Sequence, residues 1–278
     1  MKILIIGAGG RLGSSLHTYL PDAIGLDIAD CDITDFNAVR ACVHQYQPNL
    51  VIQTAAWTDV DGCAREPEKA IAINGFGTQH IALATAAIGA AHLYVSTNEV
   101  FDGRARRPYY EYDQTNPINA YGYSKVVGER ALMSLNPRHY IVRTAWLFAH
   151  GGKNFIQTIL NAAAAGKTLR VVTDEIANPT YNEDLALIIT QLITTERYGL
   201  YHFTNHGTCS RYAFARYALD RAGHTETPIT PISRQEWQRP STPPAYSSLA
   251  NLAGNQIGLT LRPWREAVDA FLTKEGLI

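Results

Sequence analysis

Short apolar runs alternate with helix-length segments along the first hundred residues, and no other feature constrains the fold as much. Ile3 to Ile6 reads as a buried strand, Arg11 to Leu20 as a helix stopped by Pro21, and Ala23 to Leu26 as a second strand. Phe36 to Tyr46 reads as a helix and Leu50 to Gln53 as a third strand. An Ala-rich helix over Pro67 to Ile88 and a strand over His92 to Val95 follow. Ala120 to Ser134 and His139 to Val142 repeat the pair. Strand, helix and strand at this spacing imply right-handed crossovers, and hence a doubly wound parallel α/β sheet with helices on both faces. After about Ala149 the rhythm loosens. Lys153 to Ala165 and Glu183 to Thr194 are expected as helices, Leu200 to Thr204 as a strand and Arg262 to Leu272 as a closing helix. A Pro-, Ser- and Thr-rich loop over Pro228 to Ser248 precedes that helix.

The first apolar run ends in Gly7-Ala-Gly-Gly10-Arg-Leu-Gly13, at a strand-to-helix turn. Gly7 permits the tight turn, Gly10 lets a pyrophosphate approach the backbone, and Gly13 lets the helix pack close on the strand. Any such turn can be Gly-rich, so the motif alone divides evenly between structure and phosphate binding. Asp27, at the end of the second strand, strengthens the second reading. A carboxylate there can accept hydrogen bonds from an adenosine ribose; its alternative is a solvated loop acid. Arg11 and Leu12 inside the loop, with Asp32 and Ile33 beyond the second strand, complete this side of a candidate cofactor site. The expected architecture is then Rossmann-type. A dinucleotide-binding domain would span residues 1–148, rejoined by segments near 170–200. Residues 149–278 would form most of a smaller, discontinuous substrate-binding domain.

A second signal is Tyr121-Gly-Tyr-Ser-Lys125. Tyr and Lys four apart on a helix share a face. A nearby ammonium would favour the phenolate and lower the tyrosine pKa, so that the pair could shuttle a proton near neutrality. Of 15 tyrosines, Tyr121 is the one with Lys at the fourth place after it. A surface pair is the simpler reading in isolation; the upstream Ser96-Thr97 and the glycine loop make coincidence a poor account.

The remaining signals mostly exclude. With 46% hydrophobic and 18% charged residues the chain can bury a large core, so disorder is not expected. Lys plus Arg number 24 against 25 Asp plus Glu, which argues against coating a nucleic acid. No apolar stretch reaches the roughly 18 residues of a membrane span, and Met1-Lys2 leads into a strand, not a signal peptide. The four cysteines, Cys31, Cys42, Cys63 and Cys209, form no C-x-x-C pair, so reduced thiols in a cytoplasmic chain are expected. His202 and His206 sit in a strand-to-loop context that separates them, and no metal site is expected. Asn74, in an otherwise apolar helix, reads equally as a helix-bending site residue or a buried, backbone-bonded one. Trp57 and Trp146 follow strand ends, where parallel sheets hold ligands. Ligand contact is favoured for Trp146, while core and ligand readings stay open for Trp57.

Together these residues resemble the extended short-chain dehydrogenase/reductase superfamily, and within it the dTDP-4-dehydrorhamnose reductase family. Gly7 to Gly13 matches that family's glycine loop. Ala55-Ala56, in Thr54-Ala-Ala-Trp-Thr-Asp-Val-Asp61, is similar to its cofactor-lining alanines. Ser96-Thr-Asn-Glu-Val-Phe101 is similar to its Ser-Thr-Asp-Tyr-Val-Phe, and Tyr121 to Lys125 to its Tyr-Gly-x-x-Lys. Arg143-Thr-Ala-Trp146, Asn154-Phe155, Asp174 to Thr180 and Leu261-Arg-Pro-Trp-Arg-Glu-Ala267 resemble further family segments in order. The resemblance implies an NAD(P)H-dependent reductase of a nucleotide-linked 4-keto-6-deoxy sugar. Thr97, Tyr121 and Lys125 would be catalytic, with Tyr121 and Lys125 also touching the cofactor beside Ala55, Ala56 and Trp57. Thr58, Val60, Asn98, Glu99, Trp146 and Asn154 would face the sugar nucleotide.

The chain departs from the family on the substrate side. Asn98-Glu99 stands where the family has Asp-Tyr; nucleotide-sugar dehydratases carry Asp-Glu there. Thr242 to Leu249 lacks the arginine of the family's Arg-Pro-x-Asn-Ser-x-Leu, and Arg239 is the nearest substitute. Ser14-Ser15 replaces the Glu through which some members dimerise around a metal, so a homodimer stays open. A dehydratase or epimerase on the same scaffold and a non-catalytic cofactor-binding regulatory subunit are the rival readings. For the cofactor, Asp27 favours NADH and Arg11 favours NADPH. Dual use of NAD(H) and NADP(H), with at most a modest NADPH preference, is the expectation.

Overall fold

A computed structural model describes residues 1–152 and 154–278. Strand β1 (Ile3–Ile6) is four buried aliphatic residues. Helix α1 (Arg11–Tyr19) stops just before Pro21. After β2 (Ile24–Leu26), α2 (Phe36–Tyr46) starts on Asp35, whose carboxylate accepts from the Asn37 and Ala38 amides. Then come β3 (Leu50–Gln53), α3 (Val60–Arg65) and α4 (Pro67–Ala70), which opens on proline. A π-helical turn (Ile71–Phe76) joins α4 to α5 (Gly77–Ala87). Strand β4 (Ala91–Thr97) runs into a 3-10 turn (Asn98–Val100). Helix α6 (Ala120–Leu135) and β5 (His139–Thr144) follow.

The second half holds β6 (Leu147–Phe148), α7 (Phe155–Ala164), β7 (Leu169–Val172), β8 (Ile176–Ala177), β9 (Thr180–Tyr181) and α8 (Asn182–Leu192). Next are β10 (Gly199–His202), β11 (Cys209–Ser210) and α9 (Arg211–Arg221). The chain closes with β12 (Ile229–Ile232), α10 (Leu252–Gln256) and α11 (Trp264–Lys274).

The main sheet has the order β10-β5-β4-β3-β1-β2, and all its pairings are parallel. Alternation along β1 explains both covered faces. Ile3 and Ile5 pack with Leu12, Leu16, Leu185 and Ile189 of α1 and α8, whereas Leu4 and Ile6 pack with Val39, Val43 and Ile81 of α2 and α5. From β1 the chain goes to β2 on one side and to β3 on the other. That reversal opens a crevice at the carboxyl ends of the strands, the place where doubly wound sheets bind ligands. A separate core in the second half gathers Phe148, Ile156, Phe214, Trp264 and Phe271. Strand β10 returns from the second half to extend the sheet beside β5.

Several expectations need correction. The Ala-rich helix over Pro67 to Ile88 is not continuous: its middle widens into the π-helical turn around Asn74. Helix α9 was not foreseen, because its buried stripe of Phe214, Ala215, Ala218 and Leu219 rests half on alanine in a polar segment. The segment Pro228 to Ser248 contains β12, paired with β7. The expected helix start at Lys153 lies outside the described residues. Among the described residues, no helix is long and apolar enough to cross a membrane.

Candidate active site

A cleft of about 910 Å³ opens at the carboxyl ends of β3, β4 and β5 and reaches the second half of the chain. One wall is the glycine loop. Gly7 takes φ 95°, and a Cβ there would lie 2.5 Å from the Ala55 amide nitrogen. A Cβ on Gly13 would lie 2.3 Å from the Gly7 carbonyl, so this turn accepts only glycine at either end. Helix α1 starts on Gly10 with no side-chain cap, which leaves its first amides for an anion. These features fit a dinucleotide pyrophosphate. Gly10, Arg11 and Leu12 line the cleft. The Asp27 carboxylate accepts from the Gly9 amide at 2.9 and 3.1 Å, which sets it at the lip of the loop.

The candidate catalytic residues come from β4 and α6. Thr97 ends β4, and its hydroxyl accepts from the Glu99 amide at 3.2 Å while donating to Asn98 Oδ1 at 3.2 Å. Asn119 caps α6 by accepting from the Gly122 amide at 2.8 Å, which fixes the turn carrying Tyr121 and Lys125. Thr97, Tyr121 and Lys125 all line the cleft. The expected electrostatics are reversed, however. Burial and the Glu99 charge raise the Tyr121 pKa above its ordinary value, with Thr97 opposing through a hydrogen bond. Burial also lowers the Lys125 pKa to about 7, and Glu129 only partly offsets it. The Lys125 ammonium lies 4.2 Å from the centre of the Tyr94 ring. Desolvation is the largest cause of both shifts.

Asn98, Glu99 and Trp146 line the same cleft. Asn98 is buried and donates to Ser247 Oγ at 2.6 Å. Glu99 accepts from Asn119 at 2.7 Å, and burial raises its pKa against the opposing Asn119 bond and the Arg239 and Arg211 charges. Trp146 holds φ 44°, in the left-handed region, which costs a residue with a Cβ about 1–3 kcal/mol. Thr58, Val60 and Ala56 line the near side.

Other candidates serve the frame. Asn154 touches the cleft, yet its side chain caps α7 and donates to the Ala149 carbonyl at 2.7 Å. Asp32 accepts from the Thr34 amide and hydroxyl. Ile33 is buried against α2 and α5. Ala55 packs at the edge of that same cluster, and Trp57 lies under the Lys69 ammonium at 4.7 Å. Asn74 is buried and bonded to the backbone, as the second of its readings has it: it sits in the π-helical turn and bonds the Trp57 amide, the Trp57 carbonyl and Ser124. His202 is buried on β10 and bonds the Ala250 carbonyl, away from any His206 partnership.

Sequence reasoning missed Arg211. Its guanidinium stacks on Trp146 at 3.7 Å, lies 3.8 Å from Glu175 and lines the cleft. Ser210, an N-cap serine bonded to the Ala213 amide, was the available signal for a helix starting there.

Comparison with known proteins agrees with this geometry. A family profile described as RmlD substrate binding domain matches residues 1–276. The chain is 39% identical over 279 residues to the spore coat polysaccharide biosynthesis protein SpsK of Bacillus subtilis (strain 168), covering 99% of this chain and 98% of that one. The crystal structure of a dTDP-4-dehydrorhamnose reductase from Clostridium acetobutylicum superposes with a TM-score of 0.96 at 38% identity, over 99% of this chain and 100% of that one. The Bacillus anthracis dTDP-4-dehydrorhamnose reductase, solved in complex with NADP, gives 0.95 at 34% identity, over 99% and 100%. A glycine loop, a Thr-Tyr-Lys set in one cleft and similarity along nearly the full length place this chain in the dTDP-4-dehydrorhamnose reductase family.

Proposed function

We propose that this chain reduces the C4 ketone of a nucleotide-linked 4-keto-6-deoxy sugar, converting dTDP-4-dehydrorhamnose to dTDP-rhamnose. The observation that carries the reading is the convergence of Thr97, Tyr121 and Lys125 on the cleft that also contains the glycine loop. Gly10, Arg11 and the uncapped start of α1 would hold the pyrophosphate, Asp27 the adenosine ribose and Lys125 the nicotinamide ribose. When bound, the reduced nicotinamide supplies the hydride. Thr97 and Tyr121 hydrogen-bond the ketone oxygen, and Tyr121 gives it a proton as charge develops. Tyr121 holds its proton at neutral pH, and because burial raises its pKa and weakens it as an acid, the transfer relies on the strongly basic alkoxide that hydride addition creates. Arg211, stacked on Trp146, offers a cation to the nucleotide diphosphate from the second half of the chain. That half serves as the substrate-binding domain. Oxidation of NADPH in the presence of dTDP-4-keto-6-deoxy sugars, followed by absorbance, tests the reading; no oxidation with any of them overturns it.

Both cofactors should serve. Asp27 at the loop lip accepts ribose hydroxyls and repels a 2′-phosphate, whereas Arg11 in the loop attracts one. Opposed effects of about 1–3 kcal/mol leave at most a modest preference for NADPH. A kcat/KM ratio beyond about a thousandfold, or about 4 kcal/mol, would show that only one of the two residues reaches the ribose. The proposed setting is the cytoplasm, which suits four free thiols.

A further inference from the structure

The proposed reduction needs one hydride and one proton, and Tyr121 supplies the proton. Glu99 is then a second acid–base group in the same cleft with no task in that reaction. Its position is fixed, not incidental. Asn119 donates to Glu99 Oε2 at 2.7 Å and to the Thr242 carbonyl at 3.2 Å, while its own carbonyl oxygen caps α6. One side chain thus holds the Glu99 carboxylate and the helix turn of Tyr121 together. The backbone enforces the same proximity: a Cβ on Gly122 would lie 2.0 Å from the Glu99 carbonyl oxygen. Thr97, two residues before Glu99, accepts from the Glu99 amide at 3.2 Å. The group that would bind the ketone oxygen and the carboxylate therefore leave the same strand end.

A ketone at C4 acidifies the hydrogens on the carbons beside it, because the electron pair left by proton loss delocalises onto the carbonyl oxygen. Hydrogen bonds to that oxygen deepen the effect. We propose that Glu99 is a general base which removes and returns a proton on a carbon adjacent to the ketone, so that the protein catalyses enolisation of its keto sugar independently of reduction. The carbon–hydrogen bond breaks towards the Glu99 carboxylate, and its electron pair forms the carbon–carbon double bond of an enolate. The hydroxyls of Thr97 and Tyr121 stabilise the enolate oxygen. The return step re-forms the carbon–hydrogen bond with a proton that Glu99 has exchanged with water. Nothing is oxidised or reduced, and no co-reactant is needed. Burial raises the Glu99 pKa, against the Asn119 bond and the Arg239 and Arg211 charges, and a higher pKa makes the carboxylate a stronger base.

The inference rests on the proposed substrate class, and the experiment separates the two. Wild-type protein is incubated in D2O with a dTDP-4-keto-6-deoxy sugar and no nicotinamide, and deuterium uptake is followed by mass spectrometry against enzyme-free buffer. A parallel sample receives NADPH. Uptake beside the carbonyl, slowed about 100-fold or more in Glu99→Gln, is the expected result. Reduction without uptake overturns the inference and leaves the reductase reading standing. Uptake without reduction supports it and overturns the reductase reading, and neither signal overturns both. Uptake unchanged in a folded Glu99→Gln protein, checked by its thermal melt, removes Glu99 from the step. Asn119→Asp, which keeps an oxygen acceptor for the cap but loses the amide donor to Glu99, should slow uptake with its fold intact; unchanged uptake would contradict the positioning.

Discussion

Tyr121 carries the sharpest consequence at the scale of single residues. Replacing it with Phe removes the transferred proton but keeps the ring, so turnover should fall by about 10²–10⁴-fold with cofactor affinity nearly intact. More than half of wild-type turnover would end its assignment. Lys125 behaves differently. With its pKa lowered to about 7 in the folded chain, the amine loses its charge as pH rises through neutrality. Cofactor affinity, measured by titration without substrate, should therefore weaken from pH 6 to pH 8.5 as a charge-assisted bond becomes a neutral one. Lys125→Met should bind weakly and show no such slope. The Tyr–Lys spacing was plain in the sequence, because helical periodicity is local information. The direction of their pKa shifts was not, because burial and the nearby Glu99 charge arise only when distant segments pack together.

Elements formed from strong local signals were legible almost to the residue. Pro21 ends α1, Asp35 starts α2, and the aliphatic runs of β1 and β3 could be little else. The π-helical turn around Asn74 was not legible, since one extra residue in a helix leaves the apolar pattern nearly unchanged. Asn74 makes the turn worth keeping by bonding both the amide and the carbonyl of Trp57. Asn74→Ala would leave the Trp57 amide without its partner, while Ser124 keeps its bond to the Tyr121 carbonyl, and should lower stability by about 1–3 kcal/mol. A shift in the urea midpoint without a change in slope is the expected record; no shift would mean that water replaces the side chain at little cost. Helix α9 shows the other limit. Its apolar face relies on Ala215 and Ala218, which read as buried only once the aromatic side chains of Phe214 and Trp264 have met.

The whole molecule joins its two halves through β10, which brings His202 into the sheet beside Arg143. Both His202 and His92 are buried, and both have pKa values lowered to about 3, chiefly by burial. Their unfolded values are ordinary, about 6.5. Between those limits the unfolded chain binds more protons than the folded one, so each histidine makes stability fall as pH drops from about 6.5 towards 3. The slope is up to about 1.4 kcal/mol per pH unit for each. Urea midpoints from pH 7 to pH 4 should show the loss, and His202→Asn should reduce the slope; an unchanged slope would mean that His202 is protonated without unfolding. Long-range joins of this kind, such as α8 on α1 or β12 beside β7, lie beyond local periodicity, and the sequence marked only their separate parts.

The π-helical turn also limits how this chain can change over generations. Its hydrogen bonding accommodates one residue more than an α-helix would, so a single-codon deletion within Ile71–Phe76 would mend the helix. The repair would turn the preceding segment by about 100° relative to α5 and pull the Asn74 amide away from Trp57. Deletions here would restore regular helical geometry while dismantling the strand-end loop that borders the cleft. The irregularity is therefore a ratchet: the length of the segment is held as firmly as Asn74 itself.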